Sequence, residues 1–175
     1  MLEELRQVLQ PWYLQIKFIH LLAVMIWSFS TAVAYTWFIR SAWISWKKHP
    51  DVAALKKRRD WLMEQFDKGA SLEHIAFPVL LLSGGLLFWT TGWTLESHWL
   101  AVKLLLVTGV FVPMEIVDYW LSHFGGSKRQ WREKGDHARY EKLMQWHWVF
   151  FRISTPLVAI FIPLIIYLAV VKPAL

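Results

Sequence analysis

Two ionisable side chains, His20 and Lys103, interrupt stretches of sequence that are otherwise apolar. At about 1.5 Å per helical residue, His20 lies roughly 10 Å inward from Tyr13, and Lys103 lies roughly 7–8 Å inward from His98. Hydrocarbon tolerates such groups mainly where they have a function. A neutral imidazole at this depth suits an iron ligand. A nearby ammonium could pair with a porphyrin propionate or, if deprotonated, take the second axial position.

Helical spacing assigns further residues to the faces that carry these two side chains. The His20 face continues through Val24, Trp27 and Thr31, and the Lys103 face continues through Val107, Val110 and Met114. We therefore predict Trp27 and Met114 as cofactor contacts beside a ligating His20, with Lys103 as the catalytic group. The alternative is that Lys103 extends to the interface and His20 bonds a helix carbonyl.

A second group of polar residues lies near the other ends of the predicted helices. It comprises Glu73, His74, Glu115, Asp118, His123, His147 and Arg152. Imidazoles and carboxylates have the right chemistry for a transition metal, so His74, Glu115, Asp118, His123 and His147 form an alternative metal site. An ion-pair network that includes Arg40 and Arg152 is the favoured interpretation, because charges within membranes commonly pair with one another.

Copper is a further metal hypothesis, either at the second group or at His20 with Met25 and His98, since thioether and imidazole ligands suit copper. The five Met form no Met-rich motif, which argues against a dedicated copper carrier. The absence of cysteine excludes thiol chemistry, Fe–S ligation and c-type haem attachment. No G-x-G-x-x-G motif is present, so no flavin is expected.

The elements that must position these residues are membrane helices. The chain of 175 residues is 56% hydrophobic with 13 Trp, and its apolar residues gather into four blocks, each about long enough to cross a bilayer. We predict one all-α domain over residues 1–175, an integral membrane bundle of four helices at about 14–39, 72–91, 99–121 and 148–171. Prolines within these blocks should bend the helices and open a cavity between them.

Positive charge predicts the orientation of the bundle. Lys and Arg concentrate between the first and second blocks and between the third and fourth, whereas residues 92–98 contain none. Basic loops face the cytoplasm, so both termini should lie outside in a bacterial-type inner membrane. The net charge of +6 is then a consequence of topology and does not indicate nucleic-acid binding.

The loop segments are predicted to be amphipathic. Residues 51–69 place apolar side chains among charges, which favours a surface helix that ends at Gly69 before the next helix begins. Gly125 and Gly126 predict a break, followed by a helical segment over 128–145.

Several motifs resemble the HemJ-type membrane protoporphyrinogen oxidases, in the order of that family. They are Ile16-Lys17-Phe18-Ile19-His20-Leu21-Leu22 with Trp27, Leu62-Met63-Glu64, the stretch from Pro78 to Gly85, and Trp99-Leu100-Ala101-Val102-Lys103-Leu104. Before the last helix, only Ser154-Thr155-Pro156 matches the family's Asn-Glu-x-Pro-Thr element. Related four-helix families include CopD-like copper-resistance proteins.

The resemblance implies b-type haem ligated by His20, an essential Lys103 and oxidation of protoporphyrinogen IX to protoporphyrin IX. The porphyrinogen, or another lipid-soluble substrate, would enter from the bilayer, and electrons would pass to a membrane acceptor such as a quinone. The alternatives are a non-catalytic haem or electron-transfer module, a copper- or metal-handling protein, and a scaffold, any of which could form a homo-oligomer.

Overall fold

The computed structural model describes residues 2–124 and 127–173. Across these residues the chain is helical and has no strand, and four helices are long and apolar enough to cross a membrane. The sequence-based prediction of a four-helix membrane bundle is confirmed to that extent, and it indicates a multi-pass membrane protein. The predicted break at Gly125 and Gly126 lies outside the described residues.

The first helix is continuous through four changes of winding. It comprises α-helix Leu2–Leu9, a 3₁₀ turn Gln10–Trp12, α-helix Tyr13–Val33, a π-helical segment Ala34–Ile39 and α-helix Arg40–Lys48. Pro11 lies in the 3₁₀ turn, and it has no N–H to donate to a carbonyl of the preceding helical turn. The chain therefore tightens at this proline without leaving the helix.

The second helix corrects one prediction. It runs without interruption over Ala53–Thr91, so Gly69 does not end a separate surface helix. Buried residues continue at helical spacing on both sides of Gly69, with Phe66 before it and Ala70 and Glu73 after it. Tertiary packing on both sides of the glycine outweighs its weak helix propensity. At about 1.5 Å per residue this helix is roughly 58 Å long, so it extends well beyond a 30 Å hydrocarbon core.

The third helix alternates between α and π winding. It consists of α-helix His98–Leu106, a π segment Val107–Phe111, α-helix Val112–Tyr119 and a π segment Trp120–Phe124. Pro113 is the second residue after the first π segment and lies in the first turn of the next α-helical stretch. The wider winding thus occurs just before the residue that has no N–H to donate.

The fourth helix begins earlier than predicted. A short helix Lys128–Glu133 is capped by the Ser127 side chain, and the fourth helix, His137–Val171, is capped by Asp136, which accepts a hydrogen bond from the Arg139 N–H at 2.9 Å. The segment predicted over 128–145 is therefore divided, and its second half, from His137 onward, belongs to the fourth helix. A capping Asp supplies the acceptor that the first helical turn needs.

The first and second helices pack together along much of their length, while the part of the third helix that begins at His98 packs mainly on the fourth. We call the end that carries the two basic loops the basic end. Its core is aromatic, with Trp43 stacked on Trp148 at 4.8 Å between ring centroids and Tyr35 stacked on Phe151 at 5.6 Å. Large apolar side chains such as Phe18, Leu82 and Leu105 are exposed, as a surface solvated by lipid requires.

Two glycines, Gly69 within the second helix and Gly92 directly after its end, give stability predictions. An added Cβ at Gly69 meets no atom within 4 Å, so Gly69→Ala should raise the free energy of unfolding by about 0.5–1 kcal/mol through helix propensity. Gly92 has a φ of +66°, and a Cβ there would collide with the Arg6 guanidinium, so Gly92→Ala should destabilise the protein. Thermal unfolding in detergent measures both changes. A destabilising Gly69→Ala would contradict a continuous helix.

Candidate functional site

The His20 side chain is half-buried on the first helix and faces the second. Its Nδ1 lies 3.1 Å from the Leu80 carbonyl oxygen and 3.1 Å from Ser83 Oγ. A carbonyl can only accept, so Nδ1 carries the proton and Nε2 presents its lone pair. No hydrogen bond joins Nε2 to any residue of the described chain.

This contact combines two interpretations of the sequence. His20 does bond a helix carbonyl, but it uses only Nδ1, so the other nitrogen keeps its capacity to ligate a metal. Ser83 strengthens this arrangement because its own proton goes to the Val79 carbonyl at 2.6 Å, which leaves its oxygen to accept from the imidazole. A ring held through Nδ1 with a free Nε2 is the usual form of a metal-binding histidine.

Gly84 and Lys103 complete the surroundings of His20. A Cβ added at Gly84 would lie 3.3 Å from His20 Cε1, so the absent side chain allows the imidazole to approach the second helix closely. Lys103 is half-buried and close enough to His20 to act on it electrostatically. Within the described chain it makes no ion pair. The two residues that the sequence singled out thus lie within electrostatic range of each other.

Trp27 and Met114 lie in a different region. The buried Trp27 donates its indole N–H to Glu115 Oε2 at 2.9 Å and packs on Phe77 and Phe111. Met114 lines a small cavity next to Glu115. Trp27 is seven residues from His20, or about 10 Å along the helix. Both predicted cofactor contacts therefore lie beside Glu115 of the second polar group.

The second polar group forms a connected cluster, which we call the polar cluster. It consists of Asp67, Glu73, His74, Glu115, Asp118, His123, Lys128 and His147. At its centre, Asp118 Oδ1 lies 3.1 Å from His147 Nε2, and Asp118 Oδ2 lies 3.4 Å from His74 Nε2. His74 Nδ1 lies 2.9 Å from His123 Nε2. Thr31 donates to Glu73 at 2.7 Å. Side chains from all four helices and the second basic loop thus meet here.

Lys128 fixes the protonation of its neighbour His147. Both side chains are 0% exposed, and Lys128 Nζ lies 2.6 Å from His147 Nδ1 and forms an ion pair with Asp67. An ammonium can only donate, so His147 accepts at Nδ1 and carries its proton on Nε2, which points at Asp118. The order of donors is therefore Lys128, then His147, then Asp118.

The cations of this network differ from those predicted. Arg40 and Arg152 are exposed, and neither forms an ion pair with another described residue. Their places are taken by Lys128 and by His74 and His147, because the second basic loop folds in over Asp67. Across residues 2–124 and 127–173, no three imidazoles or carboxylates form a group that could hold a metal.

Other ion pairs at the basic end were missed by sequence reasoning. Arg59 contacts Glu141 at 2.8 Å and lies over the Trp46 ring, and Arg132 contacts Glu64 at 2.6 Å. All four charged residues occur in segments that hydropathy assigns to solvated loops. The only local signal was the alternation of charges with aromatic residues in those segments, and this pattern also fits a wet surface.

An open cleft lies at the end opposite the basic loops. It has a volume of about 470 Å³ and is lined by residues that include Arg6, Tyr13, Thr90 and Trp93. Tyr13 is seven residues from His20, so the cleft lies about 10 Å along the first helix from the imidazole. Tyr13, which lines the cleft, thus lies about two helical turns from His20, and His20 itself does not line the cleft.

Comparison with known proteins gave no match to a protein-family model, a curated protein or a solved structure.

The buried lysine gives a stability prediction. Lys128→Met leaves the Asp67 carboxylate buried without its cation, so it should lower the free energy of unfolding by about 3–5 kcal/mol. Thermal unfolding in detergent measures the loss. The matched control is Arg129→Met, which removes an exposed pair with Glu133 that solvent screens, so it should leave the unfolding temperature nearly unchanged. Equal effects of the two variants would contradict a structural role for Lys128.

Proposed function

We propose that this chain is a membrane oxidoreductase that binds haem b through His20 and oxidises protoporphyrinogen IX to protoporphyrin IX. The observation that carries the proposal is the orientation of His20, whose Nδ1 is held by Leu80 and Ser83 while Nε2 keeps a free lone pair. The identity of the substrate depends on the resemblance of the His20 and Lys103 segments to the HemJ-type family.

The residues around His20 fit a haem. An imidazole with Nδ1 bonded to a carbonyl is a strong iron ligand of fixed orientation. Lys103 is a second group suited to haem or to its substrate, since its ammonium has no carboxylate partner in the described chain and a tetrapyrrole carries propionates. When bound, haem iron would supply one-electron chemistry.

The chain's own residues would orient the reactants and exclude water. Leu80 and Ser83 hold the imidazole, Gly84 allows it to lie against the second helix, and Lys103 would bind a propionate in a medium of low dielectric constant. Apolar surface exposed on all four helices gives a lipid-soluble porphyrinogen access from the bilayer. A lipid-soluble acceptor such as a quinone would remove the electrons. The basic loops would face the cytoplasm of a bacterial-type cell.

The haem ligand is tested by absorption spectroscopy on detergent-purified protein. The parent chain should show a Soret band that shifts on reduction with dithionite, and His20→Ala should lose it while keeping its helical circular dichroism. His49→Ala removes an exposed histidine at the end of the first helix and should retain the band. A haem spectrum that persists in His20→Ala would contradict the ligand assignment.

The neighbouring glycines 84 and 85 make this test sharper. Alanine gains similar helix propensity at both positions, but only at Gly84 does the new methyl group crowd His20. Gly84→Ala should therefore reduce haem occupancy relative to Gly85→Ala, which meets no atom within 4 Å. Equal occupancy in the two variants would show that haem does not depend on the position of this imidazole.

Lys103 is tested by turnover. Lys103→Met keeps the length and apolar stem of the side chain but removes the ammonium, so the haem spectrum and membrane insertion should be preserved. The rate of fluorescent protoporphyrin formation should fall about 100-fold, the order expected for the loss of one positioned charged group. Lys17→Met, at an exposed position on the first helix, is the control. Unchanged turnover in Lys103→Met would remove this residue from the mechanism, and a haem protein without any turnover would instead be an electron-transfer module.

A further inference from the structure

Glu115 is a buried carboxyl group, and one of its two oxygens accepts no hydrogen bond from the described residues. Its Oε2 accepts from Trp27 at 2.9 Å, but its Oε1 is buried and has no hydrogen-bond partner in the described structure. That oxygen lies 3.9 Å from His74 Nε2, about 1 Å longer than a typical N–H···O hydrogen bond. His74 Nε2 also lacks a well-formed hydrogen bond. A small rotation of the carboxyl group would join them.

His74 connects Glu115 to the surface of the basic end. Its Nδ1 lies 2.9 Å from His123 Nε2, and His123 is only half-buried. Each imidazole can accept a proton on one nitrogen and release one from the other. Two hydrogen-bonded rings therefore span the distance from a buried carboxyl to water.

The other branch of the polar cluster is closed. Asp118 lies 3.4 Å from His74, but it continues into His147, Lys128 and Asp67, which are all buried. Since Lys128 donates to His147 Nδ1, that ring has no free nitrogen with which to accept a proton. This branch holds the negative charge of Asp118 beside His74, which favours the imidazolium form that a relay must pass through.

A cavity of about 10 Å³ adjoins Glu115. Thr31, Glu73, Asp118 and Ser154 help to line it, and the buried Ser154 hydroxyl has no hydrogen-bond partner among the described residues. This volume is close to the minimum that admits one water molecule, and its polar lining would bind it. The buried end of the path therefore has room for a proton carrier.

We infer that Glu115, His74 and His123 form a proton path between the buried cavity and the basic end. A proton leaves the Glu115 carboxyl for His74 Nε2, His74 releases its Nδ1 proton to His123 Nε2, and His123 releases its own Nδ1 proton to water. One proton enters and one leaves, and no electron moves. Its use in removing protons produced by an oxidation rests on the proposed function, but the path itself is testable without turnover.

The test follows deuterium exchange into the Glu115 carboxyl group by infrared spectroscopy of the full detergent-purified chain. Acidification should reveal a protonated-carboxyl C=O band that is absent from Glu115→Gln. Transfer to D₂O then shifts this band at a measurable rate. His123→Ala should slow the shift about 100-fold, the order contributed by a positioned proton-transfer group, and added imidazole should restore the rate.

Two further variants separate relay from structure. His123→Gln can still hydrogen-bond His74 but cannot pass a proton, so its exchange should be as slow as that of His123→Ala, while thermal unfolding matches the parent chain. His137→Ala, at an exposed histidine that starts the fourth helix, should exchange at the parental rate. Parental exchange in both His123 variants, slow exchange that imidazole does not rescue, or a missing Glu115 band would each overturn the path. If the purified protein passes these tests but contains no haem, the proton path is supported and the proposed function is overturned.

Discussion

The arrangement of the basic end depends on the burial of one cation, Lys128, between Asp67 of the second helix and His147 of the fourth. A buried ammonium is tolerated only with partners that offset its loss of hydration. That requirement draws the second basic loop down onto the bundle. It also sets which nitrogen of His147 bears a proton, and through it the orientation of Asp118 on the third helix. Three helices and a loop are therefore held by one charge.

The two polar regions differ in how they are satisfied. Around His20, donors and acceptors are sparse, and each is used to orient a ring whose remaining nitrogen is left without a partner. In the polar cluster, acids and imidazoles are numerous and mostly satisfy one another. The first region thus keeps a ring nitrogen available, while the second holds its charges internally. Trp27, on the same helix as His20, bonds the deepest carboxyl of the second region.

Helix winding adapts to this arrangement. The third helix has π winding at Val107–Phe111, shortly before Pro113, and again at Trp120–Phe124, which includes Ser122 and His123. A π segment inserts an extra residue into a turn and so rotates the side chains that follow it. Glu115 and Asp118 lie between these two segments, and His123 lies within the second. Their convergence on His74 therefore depends on local changes of pitch that uniform α-helical spacing does not include.

The sequence by itself determined the four-helix membrane class, because apolar blocks of bilayer length between charged segments admit few other structures. It also predicted similar depths for His20 and Lys103, since depth is expected to follow from counting residues along a helix. Only the tertiary structure decided which atoms meet. Gly69 continues a helix because both sides of it pack, Lys128 is buried although its segment resembles a solvated loop, and Trp27 bonds Glu115 from 88 residues away. Spacing along one helix fixes a face, but the partner of that face depends on packing between helices and on the hydrogen bonds that burial makes obligatory.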